Sequence, residues 1–219
     1  MRQMVEENGN MGLSLGRLGA LSDGVFAIVI TLLILLIEPL PEGLSKSEII
    51  AELLEAWHKW LAYIISFILI AFHWWQHHIV FHYLNKADKT LTWLNLLFLL
   101  WIAFIPFPTS MLITYLNTPQ DEIAVIIYSF VQIMCALFLW AMWGHATRHH
   151  RLVPESLDPE VIRGLKRHFL FKIILYTVSI GVSFIHIGIS LFMYAIIPVS
   201  SFLPTFQGAH EVDLSKYGK

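Results

Sequence analysis

The sequence predicts an all-α integral membrane protein with six transmembrane helices per chain, and three observations lead there. Apolar residues make up 57% of the 219 and charged ones only 14%, with a mean hydropathy of +0.65, a composition unsuited to a water-facing surface. Long apolar runs recur along most of the chain, divided by short polar or Pro/Gly-containing stretches. Lys and Arg collect in alternate connections, as they do in a chain that crosses a bilayer repeatedly.

The elements follow from the runs, since a spanning helix needs roughly 20 mostly apolar residues to cross about 30 Å of hydrocarbon. The opening MRQMVEENGNMGLS lacks the short apolar core and small-residue cleavage site of a signal peptide, so the first run is expected to be retained. That run gives a first helix over about 18–38. Runs from Trp57 to Tyr83, Leu91 to Tyr115 and Ile123 to Ala146 give helices at about 52–83, 91–116 and 121–147. The last run, Phe169 to Leu203, would make a helix of roughly 50 Å, too long for one crossing. It divides into helices at about 162–182 and 184–203, the turn falling near Gly181 to His186 where Gly, Ser and His interrupt the aliphatic pattern. Residues 1–205 then form one transmembrane domain and 206–219 a cytoplasmic tail.

The connections orient these helices. Arg2 and Arg17 precede the first helix, Lys86 and Lys89 occupy the second connection, and Arg148, Arg151, Arg163, Lys166 and Arg167 the fourth, with Lys172 just inside the next helix and Lys216 and Lys219 in the tail. The third connection, NTPQDE, has no basic residue, and only Lys46 and Lys59 stand in or beside the first. This alternation places both termini in the cytoplasm. Trp57, Trp60, Tyr83, Trp93, Tyr115, Trp140 and Trp143 fall near helix ends, where aromatic belts sit. The single cysteine, Cys135, excludes an intramolecular disulfide. No internal duplication is visible, so a symmetric pore would need several copies of the chain.

The first helix opens with charges. Arg17 and Asp23 cost on the order of 2.5–3.5 kcal/mol each at a helix centre, and such groups face protein or water and pair. Arg17 can snorkel to the headgroups, whereas the short side chain of Asp23 cannot. Partners of the right type stand in FHWWQHHIVF (72–81), where Trp74 and His77 are three apart, and in the third helix at Asn95. Arg17, Ser22, Asp23, Trp74, His77 and Asn95 therefore read as a structural polar network joining the first three helices. His77 reads either as a hydrogen-bonded structural residue or as a group that titrates near neutral pH. Further along, Ile28, Leu32 and Leu35 form one stripe at helical spacing, with Gly24 and Leu21 below and Thr31 at its edge.

Arg17-x3-Leu21-Ser22-Asp23 resembles the RxxxFSD signature of the endolysosomal potassium channel family, the transmembrane protein 175 family, in its prokaryotic six-helix branch. SDGVFAIVITLL, Trp74 with His77-His78 and Phe81, Trp93-Leu94-Asn95-Leu96-Leu97 and Ile105-Pro106-Phe107 extend the likeness over roughly the first 115 residues. One departure is visible, Leu21 standing where the signature has Phe. The resemblance implies a homotetrameric potassium-permeable cation channel in a prokaryotic cell membrane, with the first helices lining the pore. It implies an apolar constriction at Ile28, Leu32 and Leu35 and a hydroxyl layer at Thr31 that discriminates among cations. Like that family, the chain has no TVGYG-like run, so an aliphatic neck that gates by dewetting replaces a carbonyl filter, with weak to moderate preference for potassium. Glu38 either concentrates cations at the mouth or anchors the helix end. No cofactor, catalytic residue, resident metal or nucleic-acid partner is expected; the ligands are potassium ions and the lipid bilayer.

Eleven histidines supply a rival. His73 with His77-His78 and His145 with His149-His150 both read HxxxHH, a spacing that lets imidazoles share a metal, as in membrane di-iron oxygenases. Against it, no third HxxHH box exists, and Arg148 and Arg151 make the second box read equally as a headgroup-facing patch. A proton-coupled transporter would use intramembrane His and Asp as a relay, but paired repeats are not apparent, and Pro106 and Pro108 more simply kink or end a helix.

Overall fold

Residues 14–116 and 118–199 are described by the computed structural model, and every regular element among them is helical. The expected tail over 206–219 and the expected helix end at 203 lie outside the described residues.

Ser14 caps the first helix, α1 (Leu15–Leu32), its hydroxyl accepting from the Arg17 amide. The chain then tightens into a 3-10 turn over Leu33–Leu36, and the expectation of one helix to about 38 is corrected accordingly. A short amphipathic helix, α2 (Lys46–Glu55), follows. Ser45 and Glu48 form its capping box, and the Ser45 side chain, together with the Ser45 amide that donates to Glu48 Oε2 at 2.7 Å, holds the Glu48 carboxyl below its ordinary range. The chain turns at Ala56 into α3 (Trp57–His82), so the expected 52–83 helix is two elements.

Asp88 caps α4 (Lys89–Phe104) through the Leu91 amide at 2.8 Å. Pro106, with no N–H to donate, separates α4 from α5 (Pro106–Tyr115) within what the sequence suggests is one helix over 91–116. The next helix, α6 (Asp121–Thr147), is packed on α3, α4, α5, α7 and α8, which makes it the centre of the fold. After it, His149 and His150 take left-handed backbone (φ 54 and 49), reversing the chain so that Leu152, Val153 and Leu157 enter the core. Asp158 caps α7 (Pro159–Ser183), Pro159 taking the first helical position where a missing N–H is harmless. Phe184–His186 make the turn to α8 (Ile187–Val199).

Leu15–Leu36, Trp57–His82, Lys89–Tyr115 and Asp121–His150 are each long and apolar enough to cross a membrane. Two apolar clusters hold the bundle. One joins Phe26 and Val29 of α1 and Leu33 of the 3-10 turn to Phe98 and Ile102 of α4, Leu139 and Trp143 of α6 and Phe169 of α7. The other joins Leu69 of α3, Leu112 of α5, Tyr128 of α6, Tyr176 of α7 and Tyr194 of α8.

Candidate pore face and the polar lock behind it

α1 has two faces that differ in what covers them. Leu18, Ser22, Phe26, Val29 and Leu33, spaced four, four, three and four apart, are buried against α3 and α4. Roughly opposite, Ile28 is 60% exposed, Leu32 42% and Leu35 74%, with Leu21 and Gly24 exposed on the same side. A Cβ at Gly24 would meet nothing, so this glycine is not demanded by packing within the chain. The 3-10 turn brings residues three apart into register, which stacks Leu35 over Leu32.

Thr31 is exposed on the edge of this face. Its hydroxyl donates to the Ile28 carbonyl one turn back at 2.8 Å, which uses the proton and leaves the oxygen lone pairs outward. Glu38 lies at the end of the helix on a cavity of about 410 Å³, with Ile34, Ile37, Lys59 and Trp60 among its walls.

Behind the exposed face the polar residues pair. Ser22 donates to the Leu18 carbonyl at 2.9 Å and accepts from Asn95 Nδ2 at 3.1 Å. Asn95 Oδ1 accepts from His77 Nε2 at 2.9 Å, which assigns that proton to Nε2. All three residues are buried. The His77 ring stacks on Phe81, centroids 4.0 Å apart, and on Phe98 at 5.6 Å and 3°. Trp74 Nε1 donates to Asp23 Oδ1 at 2.9 Å on the flank of the same contact. Arg17 is not drawn in: about 140° of helix separates it from Ser22, its side chain is exposed, and no ion pair forms to it among the described residues.

The two histidine boxes do not converge. His73 Nε2 donates to Gln132 Oε1, His145 meets Asp88 at 2.9 Å, and His150 Nδ1 donates to the Pro154 carbonyl. Among the described residues no three His, Cys, Asp or Glu are placed to share a metal. Asp88, absent from the sequence reading, ties three segments together through the Leu91 amide, His145 and Arg151 (Nε to Oδ2 3.3 Å). Partial burial works to raise its pKa, but the amide, His145 and Arg151 together hold it below the ordinary value. Its signal was local, an Asp just before an apolar run, the position of an N-cap.

The match to known proteins is extensive. The family model of the endosomal/lysosomal potassium channel TMEM175 matches residues 17–106. A potassium channel of Streptomyces collinus is 37% identical over 177 residues, covering 80% of this chain and 85% of the relative. The chain belongs to the TMEM175 channel family. A potassium channel of Chamaesiphon minutus is 34% identical, with 80% and 87% covered. The crystal structure of a TMEM175 homolog from Chamaesiphon minutus, described as a lysosomal potassium-selective channel, superposes with a TM-score of 0.76 at 30% identity, covering 87% of this chain and 97% of that one. The family consists of multi-pass membrane ion channels rather than enzymes, which removes the di-iron reading. In TMEM175 terms the helix carrying the signature is α1, and its exposed aliphatic stripe and buried Ser22 lie on different sides of that one helix.

Proposed function

We propose that this chain forms a homotetrameric, potassium-permeable cation channel of a prokaryotic cell membrane, with six membrane-crossing helices per chain and both termini cytoplasmic. The exposed stripes of four α1 helices then meet around a common axis. The observation that carries this reading is the asymmetry of α1, which is locked to α3 and α4 on one side and presents Ile28, Leu32 and Leu35 uncovered on the other. In support, two relatives of comparable length carry the name potassium channel.

Rings of Ile28, Leu32 and Leu35 offer an ion nothing to replace its water, so conduction requires the neck to widen and wet. Four Thr31 oxygens, their lone pairs turned outward, form the layer that discriminates among cations by how much water each keeps. The resulting preference for potassium over sodium is weak to moderate, because hydroxyls and water replace a carbonyl cage. α7 and α8 complete the six crossings: α7 is long enough but carries Lys166, Arg167 and Lys172. The Asp23, Trp74, Ser22, His77 and Asn95 contacts keep the ring in place from behind. Arg17, at the entrance on the exposed side, is left to act between chains or at headgroups.

Reconstitution in liposomes with a potassium gradient tests the reading: flux is expected in the parent and is expected to rise in Leu35→Ala and Ile28→Ala. Equal flux and equal ion ratios in both variants would remove α1 from the pore.

A further inference from the structure

α2 is held by little of its own chain. None of its residues is buried, and the chain turns out of helical geometry at Ala56 (ψ 11) before α3 begins. Ile50, Leu53 and Leu54 fall within about 100° of its circumference, while Ser47, Glu48, Ala51, Glu52 and Glu55 occupy the other side. Ile50 is 59% exposed, Leu54 71% and Trp57, just past the turn, 55%. Leu53 and Glu52 line the cavity of about 410 Å³ whose other walls include Ile34, Ile37, Glu38 and Leu40, just beyond α1.

A helix this exposed and this apolar on one side needs a cover, and its surroundings say which. α2 cannot enter hydrocarbon itself: ten residues reach about 15 Å, half a crossing, and Lys46, Glu48, Glu52 and Glu55 are charged. It stops where hydrocarbon begins, because the next element, Trp57–His82, is long and apolar enough to cross. Its exposed side continues into that helix, where Trp57, Ile64 and Ile68, spaced seven and four apart, are exposed on one face. A tryptophan at this junction suits the membrane–water boundary. Lys46 is the one charge on the apolar side; it stands at the first helical position, and its long stem lets the ammonium rise to headgroup phosphates. The charges of the polar side are all carboxylates, which tolerate a zwitterionic surface and are repelled by an anionic one.

We propose that α2 is an interfacial helix that docks on a zwitterionic phospholipid surface, with Ile50, Leu54 and Trp57 in the acyl boundary, and that it ties the end of the first span to that surface. Glu52 and Leu53 on one wall of the cavity face Ile34, Ile37 and Leu40 on the other, so a shift of α2 among the headgroups reaches the chain around Leu35. The inference needs only the membrane setting, and depends neither on the tetramer nor on which way the chain is oriented.

The test uses the full chain with Cys135→Ala in phosphatidylcholine vesicles, carrying one nitroxide at a time on Ile50→Cys, Leu54→Cys, Ala51→Cys or Glu55→Cys. Collisions with oxygen, which concentrates among acyl chains, are compared with collisions with a water-soluble nickel chelate. With the apolar side about 5–10 Å into the headgroup and acyl boundary, the oxygen-to-nickel ratio at positions 50 and 54 is expected to exceed that at 51 and 55 at least about threefold. Equal ratios on both sides, with nickel reaching all four, place α2 in water and overturn the proposal. Positions 50 and 54 shielded from both reagents reveal a protein partner, a second copy included, and overturn it equally. Replacing about half of the lipid by phosphatidylglycerol is expected to lower the ratio at 50 and 54 at low salt; a ratio unchanged or raised overturns the zwitterionic assignment. Ile50→Glu/Leu54→Glu is expected to release α2 and so remove the immobilised component from the spectrum of a label on Leu40→Cys; an unchanged spectrum there overturns the tie to the first span. Should that double variant not insert, Leu54→Glu alone serves, with the same expected and contrary results. None of these readouts involves ion flux, so failure of the α1 pore leaves them standing.

Discussion

Asn95→Leu isolates the lock between α1, α3 and α4. Leucine nearly matches asparagine in volume, so the substitution opens little space; what it removes are the Asn95 bonds to His77 at 2.9 Å and to Ser22 at 3.1 Å. Ser22 keeps the Leu18 carbonyl for its proton, so the cost falls on the buried His77 Nε2–H. An orphaned buried donor costs about 1–3 kcal/mol in a water-soluble protein. Inside a membrane the figure is smaller, since interhelical hydrogen bonds average about 0.6 and reach about 1.7 kcal/mol. With two bonds lost, the expected destabilisation is about 1–2 kcal/mol, or a fall of about 3–6 °C in the midpoint of heat-induced loss of the size-exclusion peak. His77→Phe should keep the ring stack on Phe81 and Phe98 while removing the donor. The double variant His77→Phe/Asn95→Leu is therefore expected to recover about 1 kcal/mol relative to the sum of the single changes. An unshifted midpoint in Asn95→Leu, or a double variant as poor as that sum, would refute the reasoning.

Other perturbations separate anchoring from permeation. Asp23→Ala strands the Trp74 indole N–H on the flank of the lock, and is expected to lower the tetramer fraction in size-exclusion profiles more than the flux per assembled channel; Trp74→Phe should do the same at a cost of about 1 kcal/mol. Thr31→Val removes the outward oxygen without changing bulk, so the potassium-to-sodium ratio measured from reversal potentials is expected to fall while potassium still passes. Asp88→Ala should destabilise by about 1 kcal/mol through loss of the α4 cap. Because the folded-state pKa of Asp88 lies below its unfolded value, its stabilisation is complete above the ordinary carboxylate range and fades as pH falls through the folded value. Melting scans from about pH 6 to about pH 3 should show that acid-side loss in the parent and a weaker one in Asp88→Asn.

Much of the fold is local and was legible in the chain. The all-helical class and the membrane setting follow from run length and hydropathy, which belong to segments of about 20 residues. The signature from Arg17 to Asp23 identified the family because charges at a spanning-helix start are rare enough to be informative. The break at Ala56 was missed, and that at Ile105 was read only as a kink or helix end at Pro106 and Pro108 without dividing the 91–116 helix. At Ala56 the apolar residues of α2 run on toward the next helix without a proline or glycine to mark the turn. At Ile105 the proline was seen, but the chain continues as helix beyond it, so apolar content gave no interruption.

Ser22, Asp23, Trp74, His77 and Asn95 could be named from the sequence because each is a polar group that lipid cannot satisfy. Arg17 was grouped with them by proximity along the chain, yet the helical rotation between positions 17 and 22 turns it to the other side. Lys172 was read only as a basic residue just inside the fifth membrane-crossing helix, and the burial of Lys172, Tyr176, Ser179 and Ser183 on one side of α7 stayed hidden, since Tyr and Ser at three- and four-residue spacing look ordinary until their burial is known.

The sequence by itself determined the solvent this chain lives in, the number and rough extent of its apolar runs, and the family whose signature it bears. It could not choose faces. In water an amphipathic stripe points to the core, but in lipid every side of a helix can be apolar, so periodicity loses its direction. Only tertiary contact decided that Phe26 and Val29 of α1 turn inward while Ile28 and Leu35 stay uncovered, and that the polar side of α7 is the buried one.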